Sequence, residues 1–344
     1  MAPTELAAPV SSVTYSELTD IEADFDDYNV ELLTQQATRE RALYERRSEI
    51  VRRIAGFWPL VFEQAPPEID QCIQPTDGAL LLSALEDFEV TRFEVADGGD
   101  PRSVALRFTF AENDIFEDRV IEKRFWYRRE PVKEPKEGEK KKDGSSESWS
   151  GLVSEPVAIK WKKGKDLTDG LLDLAVQVYK EGPSSSSDDK SSKAKDELNA
   201  ALSKTAVGGL SFFAWFGYVG RRISAEESKA AVAQERKERA ERAEKRAKGE
   251  KVGDEDEEDE DDKEDEDEDD EDDEEYEFEI FPDGDTVALA LSEDVWPNAI
   301  KYFRQAQEQE TLSEADFEEG FDIIAEDDDE EDDEDVPPAK KQRT

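Results

Sequence analysis

Apolar residues recur at three- and four-residue steps near the start of the chain: Ile21, Phe25, Tyr28, Leu32, Leu33, Ala37, Tyr44, Val51 and Ile54. That spacing predicts one amphipathic helix. Thr14 with Glu17 has the form of a capping box, and Gly56 with Pro59 supplies a stop. Between them lie about 40 residues without Gly or Pro, which is roughly 60 Å of helix. Such a helix far exceeds the usual length in a globular domain, so its apolar stripe needs an extended cover.

Charge along this helix is uneven. Thr14 to Thr38 carries Glu17, Asp20, Glu22, Asp24, Asp26, Asp27 and Glu31, with no Lys or Arg. Arg39 to Ile54 carries six arginines against three glutamates. This polarity suits the helix dipole. It also suits an antiparallel second copy, whose basic half would lie along the acidic half. The chain's own domain is the alternative cover. Polar Gln35, Gln36 and Thr38 at the midpoint favour a two-fold crossing, so we expect a homodimer through Ile21, Phe25, Tyr28, Leu32, Leu33, Tyr44 and Val51.

After an apolar elbow at Phe57–Phe62, Pro66-Pro67 opens a short helix and Thr76 is expected to cap a second, Asp77–Leu85. The period then drops to two. Phe88, Val90, Phe93 and Val95 predict one strand, Val104–Phe110 a second, Val120–Arg128 a third and Val153–Trp161 a fourth. Gly98-Gly99 and Asn113 mark turns between them. Leu171–Tyr179 has helical spacing and is available to cover the sheet. Gly182–Lys195 reads as a solvated linker in which Ser185 and Ser186 precede acids. Phe212–Phe216 is the densest aromatic cluster and is expected in the core. Ser224–Lys251 is rich in Ala, Glu, Lys and Arg, and without an apolar stripe it predicts a solvated helix. Asp285–Val295 and Trp296–Ala306 predict two further helices. The whole is an α+β chain.

Composition sharpens this picture mainly through charge. The 344 residues carry a net charge of −47. Asp254–Glu275 contributes −20 and Glu326–Asp335 contributes −10, leaving −17 for the rest. An acidic surface repels nucleic acid and anionic lipid and attracts polycations. No apolar run is long enough to span a membrane. The single cysteine, Cys72, excludes an internal disulfide, and the absence of histidine removes the commonest metal ligand and general base. No nucleophile elbow or phosphate loop is present, so we expect no enzyme, no cofactor and no metal.

Five motifs in order resemble one family. A long helix closes on Gly56-Phe57-Trp58. Phe108-Thr109-Phe110-Ala111-Glu112-Asn113-Asp114-Ile115-Phe116 is similar to the F-x-F-x-x-N-x-x-F signature of nucleosome assembly proteins. Trp161–Thr168 resembles the family's W-K-x-G-K-D-L-T, Ser211–Phe216 its S-F-F-x-W-F, and Asp294–Asn298 its D-x-W-P-N. The SET (template-activating factor I) branch is the most similar.

The resemblance implies an antiparallel dimer of long helices, each followed by an earmuff domain with a four-stranded antiparallel sheet under helices. In this frame residues 1–13 are a tail and 14–56 the dimerisation helix. The earmuff is 57–306, with charged insertions at 130–150, 180–200 and 221–275, and 307–344 is an acidic tail. It further implies a histone chaperone that binds core histones, H3–H4 or H2A–H2B, on the acidic underside of the earmuff. By position, Asp285, Glu293 and Asp294 are the expected contacts, supplemented by the acidic run from Asp254, Glu255, Asp256 and Glu257. The chain departs from the SET-like pattern at Ala214, Gly217 and Thr286. Some relatives instead present histones to an acetyltransferase, which is the alternative role. Lys340, Lys341 and Arg343 have the form of a nuclear import signal, so we expect nuclear localisation.

Overall fold

The computed structural model describes residues 15–131, 149–182, 193–204, 209–248, 279–309 and 311. Thr14, Ser185, Ser186, the acids Asp254–Glu257 and the basic cluster Lys340, Lys341 and Arg343 lie outside them.

The long helix forms as α1, Tyr15–Val51, 37 residues or about 55 Å. It stops earlier than expected. Gly56, in the left-handed conformation at φ 72°, starts a second helix instead, α2, Phe57–Glu63. The apolar elbow is therefore helical, and Phe57, Trp58, Val61 and Phe62 are buried on it. Pro59 sits in its first turn, where the missing N–H would have no helical partner anyway. α3, Pro67–Asp70, follows. α4, Pro75–Ala84, is capped by Gln74 and not Thr76: Asp77 and Gln74 form a reciprocal capping box.

The sheet is an antiparallel meander in the order β1 (Leu85–Thr91), β2 (Val104–Phe110), β3 (Val120–Arg129) and β4 (Ser150–Ser154). Two strands are shorter than the alternation suggested. Phe93 and Val95 leave β1 in a 3-10 turn, Phe93–Asp97. β4 ends before Pro156, which has no N–H to give the ladder. Beyond it, Val157 N donates to Phe216 O, and Trp161 makes a single bridge to Phe116.

Register places Phe88 opposite Phe108 and Phe108 opposite Ile121, with Val104 opposite Phe125, so these side chains share the buried face. On that face pack α2, α5 (Leu171–Glu181) and a buried 3-10 turn, Phe212–Gly217. α8 (Gly284–Leu289) and the π-turn Ala290–Val295 complete the cover, and α9 spans 299–309. Trp215 stacks on Phe125 with ring centroids 5.5 Å apart, and its Nε1 donates to Gly284 O at 2.7 Å. The expected core role of the aromatic cluster holds. α6, Lys193–Leu202, forms partly where a linker was expected; Ala194 and Leu198 are buried as it packs on α5.

Candidate functional site

The residues expected to contact a partner lie on α8 and the π-turn, and they are not equivalent. Asp294 is engaged: its carboxylate accepts from Asn298 Nδ2 at 2.8 Å and from the Tyr302 hydroxyl at 2.7 Å. Burial, aided by that acceptor, pushes the Tyr302 hydroxyl up to about 12. Asp285 is half-buried and accepts from Thr286 N at 2.8 Å. Glu293 is exposed, with only a loose ion pair to Arg92 at 3.7 Å. Of the three, Glu293 is presented most openly to a ligand.

Two of the three departures from the SET-like pattern are interior positions. Ala214 is fully buried. A Cβ on Gly217 would fall 2.4 Å from Ile280 Cδ1, so glycine there admits the segment that returns to the domain at residue 279. Thr286 is exposed.

The family-like motifs mostly build the frame. Asn113 Oδ1 accepts from the backbone N–H groups of Ile115 and Phe116, closing the turn after β2. Asp166 accepts from Thr168 N and Gly170 N and so shapes the entry to α5. Ser211 Oγ and Phe212 N both donate to buried Asp77, tying the aromatic turn to α4. Trp296 stacks on Trp58, nearly parallel at 5.6 Å.

α1 presents three faces. At 3.6 residues per turn they are centred roughly a third of a turn apart. One packs on the chain's own domain and includes Val51, only 4% exposed, and Tyr44, whose ring lies 5.3 Å from that of Trp296. These two expected dimer residues are thus turned inward. The second face is apolar and open: Ile21 is 53% exposed, Phe25 65%, Tyr28 57% and Leu32 43%, while Leu33 is half-buried. Leu18, Leu43 and Ile50 extend the open face and were not singled out by the periodicity.

The third face is acidic, and the chain covers it itself. α7, Ala225–Ala247, starts at a Ser224–Glu227 capping box and runs antiparallel to α1. Arg246 and Arg242 reach Asp20 at 2.6 and 2.9 Å, Arg239 pairs with Asp27 and lies 3.7 Å from Asp24, and Arg236 is 3.5 Å from Asp27. Its hydrogen bond with Arg239 holds Asp27 below the usual carboxylate range. Asp26 faces Arg102 at 3.0 Å and Arg129 at 3.6 Å. At least four of the seven acids assigned to a partner's arginines, Asp20, Asp24, Asp26 and Asp27, are therefore paired within the chain. The helix expected to be solvated is a strap, and its arginine spacing of three and four residues was the available signal.

One cation is internal. Lys123 stands opposite Leu106 on the core face, fully buried, and its Nζ donates to the carbonyls of Glu155, Phe216 and Tyr218 at 2.9, 3.1 and 2.7 Å. Burial lowers its ammonium to about 7. Glu279 supplies the compensating charge and accepts from Val219 N and Gly220 N, while burial raises its carboxyl. Among the described residues no cluster of carboxylates and thiols is arranged to hold a metal ion.

Comparison with known proteins places this arrangement. The family model for nucleosome assembly protein (NAP) matches residues 16–306. A putative nucleosome assembly protein of Schizosaccharomyces pombe is 33% identical over 153 residues, covering 44% of this chain and 59% of that protein. Protein SET of Drosophila melanogaster is 33% identical over 129 residues, covering 38% of this chain and 41% of SET. These matches span less than two thirds of either relative. Among solved structures, a Ccp1 mutant superposes with a TM-score of 0.51 at 23% identity, covering 87% of this chain and 97% of that one, which is a likeness of fold.

Proposed function

The chain belongs to the nucleosome assembly protein family, and on that premise we propose that it is a histone chaperone: a non-enzymatic acidic carrier that binds core histones and passes them to or from DNA. The family match across residues 16–306 carries this reading. The chemistry supports it, since a chain of net charge −47 screens Lys- and Arg-rich proteins and exchanges them with DNA by counterion release, without any bond-making step. Exposed Glu293 and half-buried Asp285 are the candidate close contacts on the domain. Asp294 serves chiefly to fix the π-turn that carries Glu293. The acidic run beginning at Asp254 supplies long-range attraction in this reading.

The working unit we propose is a homodimer through the open face of α1. Large side chains exposed in a row from Leu18 to Leu32 need a cover that α7 and the other described residues do not provide. A second α1, antiparallel, fits that row. Nuclear import through Lys340, Lys341 and Arg343 completes the proposal. The test is assembly of nucleosomes on relaxed plasmid from purified histones. Acquisition of supercoils in proportion to added protein supports the reading, and histones that precipitate on DNA as they do without it count against it.

A further inference from the structure

The two halves of α7 are held by different means. Near its start, Arg129 N donates to Ser228 Oγ at 3.0 Å, Arg129 also pairs with Glu235, and Ala231 is buried. From Arg236 onward α7 buries no apolar side chain, and its hold on α1 is ionic. Several rungs face water: the Asp24 side chain is 75% exposed and that of Arg236 65%. Exposed ion pairs each contribute little and weaken with salt. Asp20 is the exception, enclosed between Arg242 and Arg246. A carboxylate so enclosed demands a replacement cation if its arginines leave.

Asp20, Asp24 and Asp27 form a straight row of carboxylates about 10 Å long. The guanidiniums seated on it show what chemistry the row accepts. We propose that the second half of α7 is an internal pseudo-ligand, which occupies Asp20, Asp24 and Asp27 in the resting chain and yields them to a Lys/Arg-rich segment of a basic partner. Exchange replaces one set of cations by another, so it needs no net loss of ion pairs. The first half of α7 stays anchored to β3 and keeps the displaced half close enough to return. A polyanion captured by the freed arginines is the competing arrangement. It is disfavoured because α7 carries six glutamates beside its seven cations and the chain as a whole is strongly acidic. The inference does not depend on which basic protein the chain handles.

The probe is a fluorescent Lys/Arg-rich 20-residue peptide, titrated into the full-length protein. Arg239→Ala/Arg242→Ala/Arg246→Ala should tighten peptide binding about tenfold, the equivalent of roughly three exposed ion pairs. Arg107→Ala/Arg119→Ala/Arg124→Ala changes net charge equally at exposed arginines on and beside the sheet and should give a much smaller gain. Adding Asp20→Asn/Asp24→Asn/Asp27→Asn to the α7 triple should abolish the gain. Equal tightening by both arginine triples, or none by the α7 triple, overturns the proposal. In the unmodified protein the peptide should also speed amide exchange across 236–247, and unchanged exchange at saturating peptide overturns it independently of any variant. Binding of a single-stranded 20-mer oligonucleotide that the α7 triple loses would assign the arginines to polyanions instead, and equally overturns it.

Discussion

Arg47 lays its guanidinium 4.0 Å from the ring centroid of Trp296 and donates to the carbonyl of the same residue. Tyr44, its ring beside that of Trp296, lies 4.7 Å from the same guanidinium, and burial brings Arg47 down to about 10. One side chain thus joins the long helix to the tryptophan of the D-x-W-P-N motif. Arg47→Ala should cost about 2 kcal/mol, through lost cation–π contact, stem packing and the carbonyl's donor. Arg47→Lys keeps the charge without the flat stack and should recover less than half of that. Urea unfolding with tryptophan fluorescence measures both.

The buried Lys123 makes stability depend on pH in a stated direction. Its folded ammonium titrates near 7, well below the value of a free lysine, because burial disfavours the charge. Between about pH 7 and the free-lysine range the unfolded chain binds the extra proton. Stability should therefore rise with pH across that window, by up to about 1.4 kcal/mol per unit. Glu279, raised by burial, acts at the acid end, where stability falls as pH rises through its folded value. Lys123→Met should lower stability by about 3 kcal/mol at pH 7, leaving three buried carbonyls without their donor. It should also remove the alkaline slope, so the deficit against the unmodified protein widens from pH 7 to pH 9. Chemical denaturation at the two pH values checks this.

Gly217 tests how the returning segment packs. Gly217 is one of the departures from the SET-like pattern. Gly217→Thr should cost about 1–3 kcal/mol by forcing Ile280 and Leu172 aside. A matching Ile280→Ala should restore part of the loss if the clash is the cause. Thermal melts of the two single variants and the pair decide it.

The open face of α1 predicts a mass. Phe25→Glu or Leu32→Glu should convert a dimer to a monomer in sedimentation at micromolar protein, while far-ultraviolet circular dichroism changes little. Val51→Glu should instead unfold the domain, since Val51 lies in the chain's own core.

Much of this architecture was legible because period and punctuation are local. The long helix, β2, β3 and α5 follow from spacing alone, and the aromatic cluster announced a core by its density. What was not legible is tertiary. Val51 follows Phe25 and Leu32 by three- and four-residue steps but lies about 100° round the helix from Leu32, on the domain side, while its neighbour Ile50 keeps the open face. Lys123 alternates in phase with Ile121 and Phe125, and nothing local tells that three carbonyls wait inside. The strap was misread because its arginines find their acids some 200 residues away. The candidate contacts came by position from a resemblance; the geometry then separates Asp294, bonded to Asn298 and Tyr302, from exposed Glu293.

The most direct measurement for a histone carrier is equilibrium binding of the purified protein to H3–H4 and to H2A–H2B across a salt series. The account predicts submicromolar binding to at least one pair, weakening steeply and linearly in log Kd against log salt. Glu293→Lys with Asp285→Lys should weaken it further by raising the off-rate. Absence of binding to both pairs at low salt, or affinity indifferent to salt, would contradict it.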